Sequence, residues 1–182
     1  MIGPGEGGFP IGSLDDQPPR LIRAALAANR GPLVSRWGHI LLRRALASRL
    51  DPPRGMDPVA FVALRASLLN RLGEGSTARA LVQDVDSANY DVALTNAAFD
   101  AYLLTGDILG MCPVARLKST LREDGQWNMV RAICAAYAGE ARQAERDLQR
   151  ILYYGEAPRI DALLAQRYAG AAGDGQIGRA HV

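Results

Sequence analysis

Side chains that could perform catalysis or hold a metal ion are few in this 182-residue sequence. His39 lies in a helical pattern, with Ser35 and Arg43 one turn away on either side. Because a metal site needs several converging ligands, we interpret His39 as a hydrogen-bonding residue of a helix. The sequence therefore predicts no metal site and no cofactor.

Two acidic pairs could carry chemistry. Glu123-Asp124 with Trp127 suggests a carboxylate pair beside an aromatic platform for a sugar, but glycosidase carboxylates face each other across a cleft. Adjacent acids at the start of a helix are better explained as capping residues. Asp15-Asp16 lies in a proline-flanked loop without the spacing of a calcium loop, so we interpret it as a solvated turn.

The glycine-rich segment from Gly3 to Gly8 lacks the arrangement of a phosphate-binding loop and does not follow a strand. Cys112 and Cys134 form no CxxC pair. We interpret them as two buried thiols in helices, since free cysteine behaves as a small hydrophobic residue. A disulfide between neighbouring helices is the alternative.

Hydrophobic residues recur at helical spacing along most of the chain, and no segment shows the alternation of a half-buried strand. Asp57-Pro58 is a strong helix start, Asn89 or Asp91 caps a later helix, and Glu123-Asp124 opens another. Pro113 is either accommodated near the start of a helix over 108–121 or delays that start. We predict an all-α protein of about eight to nine helices. It has a flexible segment over 1–17, a single domain over 18–170 and a disordered tail over 171–182.

Three glycines recur at an interval of 33 residues, each after an amphipathic segment of about four turns. Each precedes an acid and, five residues on, an alanine or methionine: Gly73-Glu74 with Ala78, Gly106-Asp107 with Met111, and Gly139-Glu140 with Ala144. Glycine permits the positive φ that turns the chain out of a helix, and the acid complements the dipole of the next helix. A small residue one turn further on allows two helices to approach closely. The period predicts stacked helical hairpins.

This Gly-acid pair with a following alanine resembles the tetratricopeptide family. Residues that would match the family's tryptophan, leucine and glycine depart from it: Val62-Arg65-Ala66, Thr95-Ala98-Phe99 and Asn128-Arg131-Ala132. The period is also one residue short of the family's 34. The resemblance covers about 57–154 and implies a right-handed α-solenoid of antiparallel helical hairpins.

The resemblance also implies a concave face near eight residues: Ala63, Ser67, Asn70, Asn96, Asp100, Leu103, Met129 and Ile133. Some relatives hold a peptide C terminus on this face with lysine, arginine and asparagine. The face implied here has asparagines but no basic clamp, which does not support a C-terminal carboxylate ligand. We take Ser67, Asn70, Asn96 and Asp100 as candidate ligand contacts on a mixed polar and apolar surface.

The last six residues, 177–182, resemble the in-frame translation of a common sequencing adapter, whose next codon is a stop. This resemblance implies a coding sequence cut near Gln176. Terminal repeats normally need a polar cap. A cut solenoid therefore predicts that the last helix, about 158–169, exposes an apolar face made by Ile160, Leu163 and Leu164.

Composition narrows the class of partner. Hydrophobic residues make up 48% of the chain, aromatic residues 6%, and the net charge is +2. Only Lys118 among the 21 basic residues is a lysine, which indicates GC-rich coding. Nucleic-acid binding would require a basic stripe with interleaved aromatics, and a membrane span would require about 18 consecutive apolar residues. We predict neither.

We expect a non-catalytic protein–protein interaction scaffold whose partner is a protein or peptide. The alternative is the helical scaffold of a larger enzyme, possibly one that acts on the cell wall, with its catalytic part beyond residue 176. A self-contained enzyme within 1–176 would require a nucleophile–base pair or a metal cluster, and neither is visible. If Met1 is the true start the protein is cytoplasmic; if the N terminus is incomplete, the cell envelope is possible.

Overall fold

The computed structural model describes residues 1–29 and 34–173. Within these residues the prediction of an all-helical protein is confirmed, with nine α-helices and one isolated bridge between Ile2 and Ser48. The helices are α1 (Pro19–Ala28), α2 (Arg36–Ala47), α3 (Pro58–Arg71), α4 (Gly75–Gln83), α5 (Val92–Leu104), α6 (Cys112–Leu117), α7 (Gly125–Tyr137), α8 (Ala141–Tyr154) and α9 (Arg159–Gly173). The adapter-like residues 177–182 lie outside the described ranges.

The chain forms two compact units, Met1–Asp107 and Ile108–Val182, a finer division than the single domain over 18–170 that the sequence predicts. In the first unit α3 packs against α4 and α5, and α4 packs against α5. α1 and α2 also contact α3. Large apolar side chains from α3, α4 and α5 fill this core, among them Phe61, Leu68, Leu69, Val82 and Leu94.

The second unit has a similar arrangement around α7, which packs against α6, α8 and α9. α8 also packs against α9. Trp127 at the start of α7 is fully buried, and its Nε1 donates to the carbonyl oxygen of Ser119 over 3.0 Å. Leu148 and Ile151 of α8 pack with small residues of α9, including Ala162 and Ala165. These alanines allow α9 to lie close to its neighbours.

Aspartate caps begin α3, α5 and α7 at nearly regular intervals. Each carboxylate accepts a hydrogen bond from the backbone N–H three residues on: Asp57 from Ala60 (2.7 Å), Asp91 from Leu94 (2.7 Å) and Asp124 from Trp127 (3.0 Å). A side-chain acceptor at this position satisfies one of the unpaired donors of the first helical turn. The caps predicted at Asp57 and Asp124 are confirmed, and Asp91 rather than Asn89 begins α5.

The three repeat glycines all have positive φ, as predicted, with values of 77°, 67° and 88° for Gly73, Gly106 and Gly139. Each glycine N–H donates to the carbonyl three residues earlier, and the next residue's N–H donates to the carbonyl five residues earlier. This pairing satisfies the last carbonyls of a helix and requires a left-handed residue. Ala78, Met111 and Ala144 are buried, as a close approach of helices requires.

The acids after these glycines also form ion pairs that the sequence does not predict. Each carboxylate lies against an arginine of an earlier helix: Glu74 against Arg43 of α2 (3.1 Å), Asp107 against Arg79 of α4 (2.5 Å) and Glu140 against Arg116 of α6 (3.0 Å). The intervals between the paired residues differ from pair to pair, so a search for a fixed spacing would miss them.

Two helix boundaries differ from the predicted ones. Residues Ile108–Met111 form a 3-10 turn and α6 begins at Cys112, so Pro113 marks a delayed start. α9 continues to Gly173, past the predicted end of the domain at residue 170. Three alanines, Ala169, Ala171 and Ala172, flank Gly170, and alanine has the highest helix propensity.

The N-terminal segment, for which the sequence predicts flexibility, is hydrogen-bonded to the end of α2. The N–H of Ile2 donates to Ala47 over 2.9 Å, and the N–H of Arg49 donates to Ile2 over 3.1 Å. The N–H of Phe9 donates to the hydroxyl of Ser48 over 2.8 Å. The N-terminal segment therefore supplies hydrogen-bond partners to the C-terminal end of α2.

Candidate functional site

A groove of about 660 Å³ lies between α3 and α5 in the first unit. The side chains of α3 and α5 that line it are Ser67, Asn70, Arg71, Asp100, Leu103 and Leu104. Its volume is within the range of pockets that bind small molecules or peptide segments. We call it the α3–α5 groove.

Three of the four predicted ligand contacts meet in this groove. Ser67 and Asn70 are half-buried on α3, and Asp100 is exposed on α5. The fourth, Asn96, is exposed on α5 but does not line the groove. Leu103, which the tetratricopeptide resemblance also places on the concave face, lies in the lining.

Asn70 joins the two walls of the groove. Its Nδ2 donates to the carbonyl oxygen of Ala97 on α5 over 2.8 Å, and its Oδ1 is buried without a hydrogen-bond partner among the described residues. Buried polar atoms are usually hydrogen-bonded, so this unpaired acceptor beside the groove is an unusual feature of its wall.

One end of the groove is basic and the other side is apolar. Arg71 donates from Nε to Asn29 (2.9 Å) and from Nη2 to Leu26 (2.8 Å), and so caps the last carbonyls of α1. Leu103 and Leu104 remain 42% and 58% exposed on α5. The groove thus offers hydrogen-bonding groups, a carboxylate and apolar surface side by side.

The corresponding residues of the second unit are placed differently. Met129 and Ile133, which the resemblance puts on the same concave face, are buried together with Ala162 and Ala165. α9 packs against α7 and covers them. In the first unit, Ala63 is likewise buried. Of the eight residues of the predicted face, Ser67, Asn70, Asp100 and Leu103 line the α3–α5 groove, and Asn96 is exposed outside it.

Arg65 on α3 is a buried cation that sequence reasoning did not single out. It is 3% exposed, and its Nη2 donates to the carbonyl oxygens of Leu46 and Ser48 at the end of α2. Its guanidinium also lies 5.1 Å from the centre of the Phe61 ring. Burial lowers the pKa of Arg65 to about 10. The arginine acts as a cap for α2 inside the core.

Asp124 of the acidic pair before α7 caps this helix, as the sequence predicts. Burial alone raises the pKa of the Asp124 carboxyl, but the N–H of Trp127 and the guanidinium of Arg122 outweigh it and hold that pKa below its ordinary value. Trp127 is fully buried, so it presents no face on which a sugar ring could stack. The alternative of a carbohydrate site at this pair is therefore excluded.

His39 is the hydrogen-bonding residue that the sequence predicts. Its Nε2 lies 3.1 Å from Oε1 of Glu74, whose other oxygen contacts Arg43. Across residues 1–29 and 34–173, no group of three or more histidine, cysteine or acidic side chains could hold a metal ion. In the same part of the chain, no helix has both the length and the apolar character to cross a membrane.

The prediction of two free thiols is wrong. Cys112, the first residue of α6, and Cys134 of α7 form a disulfide, with their Cα atoms 5.4 Å apart. The sequence shows that both residues are in helices, but only the packing of α6 on α7 brings their side chains together. The bond ties a six-residue helix to the centre of the second unit.

The predicted apolar face of the last helix is confirmed. Ile160, Leu163 and Leu164 of α9 are 64%, 41% and 61% exposed. A comparable exposed face occurs on α2, where Trp37 is 80% and Leu41 is 59% exposed. Isolated surface leucines need no explanation, but several on one helix face are typical of interaction surfaces.

Comparison with known proteins gave no match to a protein family, a curated protein or a solved structure.

Proposed function

We propose that this chain is a non-catalytic interaction module that binds a protein or peptide segment in the α3–α5 groove. The observation that carries the proposal is the meeting of Ser67, Asn70 and Asp100 with two exposed leucines in one groove. Protein interfaces combine apolar anchors with a few hydrogen-bonding groups in this way.

The groove chemistry indicates the kind of segment that it would accept. Leu103 and Leu104 provide apolar surface for one large side chain of the partner, and burial of such an anchor supplies most of the energy at an interface. Asp100 would attract a neighbouring lysine or arginine, and the Oδ1 of Asn70 would accept a hydrogen bond from a backbone N–H once a small shift of the side chain exposes it. A segment with an apolar and a basic residue close together fits these three features.

We also propose that the three hairpins are degenerate repeats of a right-handed α-solenoid similar to tetratricopeptide proteins. Three observations support this: the aspartate caps, the glycines with identical hydrogen bonding, and the acid–arginine pairs all recur in the same order. In each unit two consecutive helices also pack against a third, α3 and α4 against α5, and α7 and α8 against α9. Stacked repeats expose an extended surface for partners.

A photo-crosslinking experiment tests the binding proposal. A photoreactive amino acid placed at Ser67 or Leu104 should capture the same partner from a lysate of the source cell. The same group placed at Arg146 on α8 serves as the control, because this exposed residue is not in the groove. Equal capture at all three positions, or no capture at the groove positions, would contradict the proposal.

The alternative, a helical scaffold within a larger enzyme, stays a prediction. Reading the gene beyond residue 176 tests it. A catalytic motif there would favour the enzyme, and further repeats would favour the interaction module.

A further inference from the structure

A second groove, of about 450 Å³, lies within the second unit and is formed by α6, α7 and α8. Unlike the α3–α5 groove, it is lined mainly by charged and amide side chains. Three arginines line it, Arg116, Arg131 and Arg150, together with two acids, Glu140 and Asp147. We call it the arginine groove.

Two of the three arginines have carboxylate partners. Arg116 donates to Glu140 over 3.0 Å, and Arg150 lies 3.7 Å from Asp147 and 4.0 Å from Glu156. Arg131 is exposed and makes no hydrogen bond or ion pair with the described residues. The lining therefore contains one guanidinium whose charge the described protein does not compensate.

Arg65 of the first unit occupies the position that corresponds to Arg131 and shows what an arginine there can bind. Arg65 and Arg131 each lie eight residues before a repeat glycine, Gly73 and Gly139. Arg65 is turned toward the preceding helix, α2, and donates to two carbonyl oxygens at its end. The helix that precedes α7 is α6, which ends at Leu117, and none of its carbonyls accepts a hydrogen bond from Arg131. Beside Arg131 lies the arginine groove instead.

We propose that the arginine groove binds a small polar molecule through a single carboxylate, which Arg131 holds. A guanidinium matches the geometry of a carboxylate with two parallel N–H···O bonds. The charge of the lining favours a monoanion, because the two arginines with partners are neutralised and a phosphate dianion would meet Glu140 and Asp147. The side-chain amides of Asn128 and Gln143 lie in the same groove and suit a polar remainder of the ligand.

NMR titration tests this proposal with acetate and inorganic phosphate as probes, at constant ionic strength, on the full chain. Acetate should shift the Arg131 side-chain N–H signal and the Gln143 amide signals in a saturable way, and phosphate should bind more weakly. Arg131→Gln should weaken acetate binding about tenfold, the factor expected for loss of a charge-assisted hydrogen bond. Arg131→Lys keeps the charge but loses the two parallel donors of the guanidinium, and should weaken acetate binding by a smaller factor.

Arg146→Gln is the matched control. Arg146 of α8, like Arg131 of α7, is an exposed arginine without a partner among the described residues. It should leave acetate binding unchanged. Shifts that do not saturate, an equal effect of Arg131→Gln and Arg146→Gln, or tighter binding of phosphate than of acetate would each overturn the assignment.

Discussion

Asn70 of α3 donates a 2.8 Å hydrogen bond from its Nδ2 to the carbonyl oxygen of Ala97 on α5. This bond links α3 and α5, the two helices whose side chains line the α3–α5 groove. It leaves the Oδ1 of Asn70 buried and unpaired among the described residues. One side chain thus contributes both to the packing of the first unit and to the groove that we propose as the binding site.

Replacement of Asn70 should loosen α3 against α5 by a modest amount. Asn70→Ala removes one hydrogen bond and one unpaired buried acceptor, and we expect a loss of about 1 kcal/mol in unfolding free energy. Hydrogen exchange of α3 and α5 peptides measures this change. Asn96→Ala is the control, since Asn96 is exposed on α5, and it should stay within ~0.5 kcal/mol of the parent protein. Equal effects of the two substitutions would show that the Asn70 hydrogen bond does not stabilise the packing of α3 against α5.

Gly125 allows α7 to approach the chain between α8 and α9. A Cβ at this position would overlap the carbonyl oxygen of Glu156 and lie 2.6 Å from its carbonyl carbon. Because backbone atoms cannot yield as a flexible side chain does, Gly125→Ala should destabilise the second unit by ~1–3 kcal/mol. The fluorescence of buried Trp127 during urea unfolding, in a Trp37→Phe background, reports this unit.

Gly170→Ala is the matched substitution. Gly170 lies inside α9, and the place that a Cβ would occupy is open. Alanine there should stabilise the helix by up to ~1 kcal/mol. A stabilising effect of Gly125→Ala would show that α7 does not approach Glu156 as closely as the structure has it.

The cap at Asp124 makes the stability of the second unit depend on pH. The pKa of this carboxyl is lowered from its ordinary value of 3.8 in the folded protein. The contribution of Asp124 is therefore complete above 3.8 and is lost as the pH falls through the lower, folded-state pKa. We expect Asp124→Ala to cost ~1 kcal/mol at pH 7 and progressively less as the pH falls below 3.8. Unfolding curves of both proteins at several pH values measure the difference, and a gap that widens on acidification would refute the prediction.

The disulfide between Cys112 and Cys134 should stabilise the second unit. The two residues are 22 positions apart, and closing a loop of this length is worth ~3 kcal/mol in the chain-entropy account. Reduction of the parent protein, or replacement of both cysteines by serine, should lower the unfolding free energy by this amount. Reductant should have no effect on the double variant.

Local signals in the sequence were sufficient for the helical class, for the caps at Asp57 and Asp124 and for the three glycine turns. Asp57 and Asp124 cap helices because a short acidic side chain reaches the N–H three residues on, and this depends on neighbouring residues only. The positive φ of Gly139 is equally local. Asp100 lines the α3–α5 groove, and its role as a ligand contact stays a prediction from the tetratricopeptide resemblance.

Features that depend on which helix faces are covered could not be read from the sequence. Trp37 belongs to an apolar stripe yet is 80% exposed, because no described element packs over that side of α2. Arg65 is buried without a carboxylate, since the carbonyl end of α2 supplies its acceptors. The Cys112–Cys134 bond likewise required the packing of α6 on α7.

The most direct test of the central claim compares two leucines of nearly equal exposure. Leu103 in the α3–α5 groove is 42% exposed and Leu163 on α9 is 41% exposed. With the partner captured by crosslinking, calorimetry gives the dissociation constant for Leu103→Ala and Leu163→Ala. We predict a loss of at least about tenfold for Leu103→Ala, as expected for an interface anchor, and less than about twofold for Leu163→Ala. An equal or greater loss for Leu163→Ala, or no loss for Leu103→Ala, would contradict the assignment of the groove as the binding site.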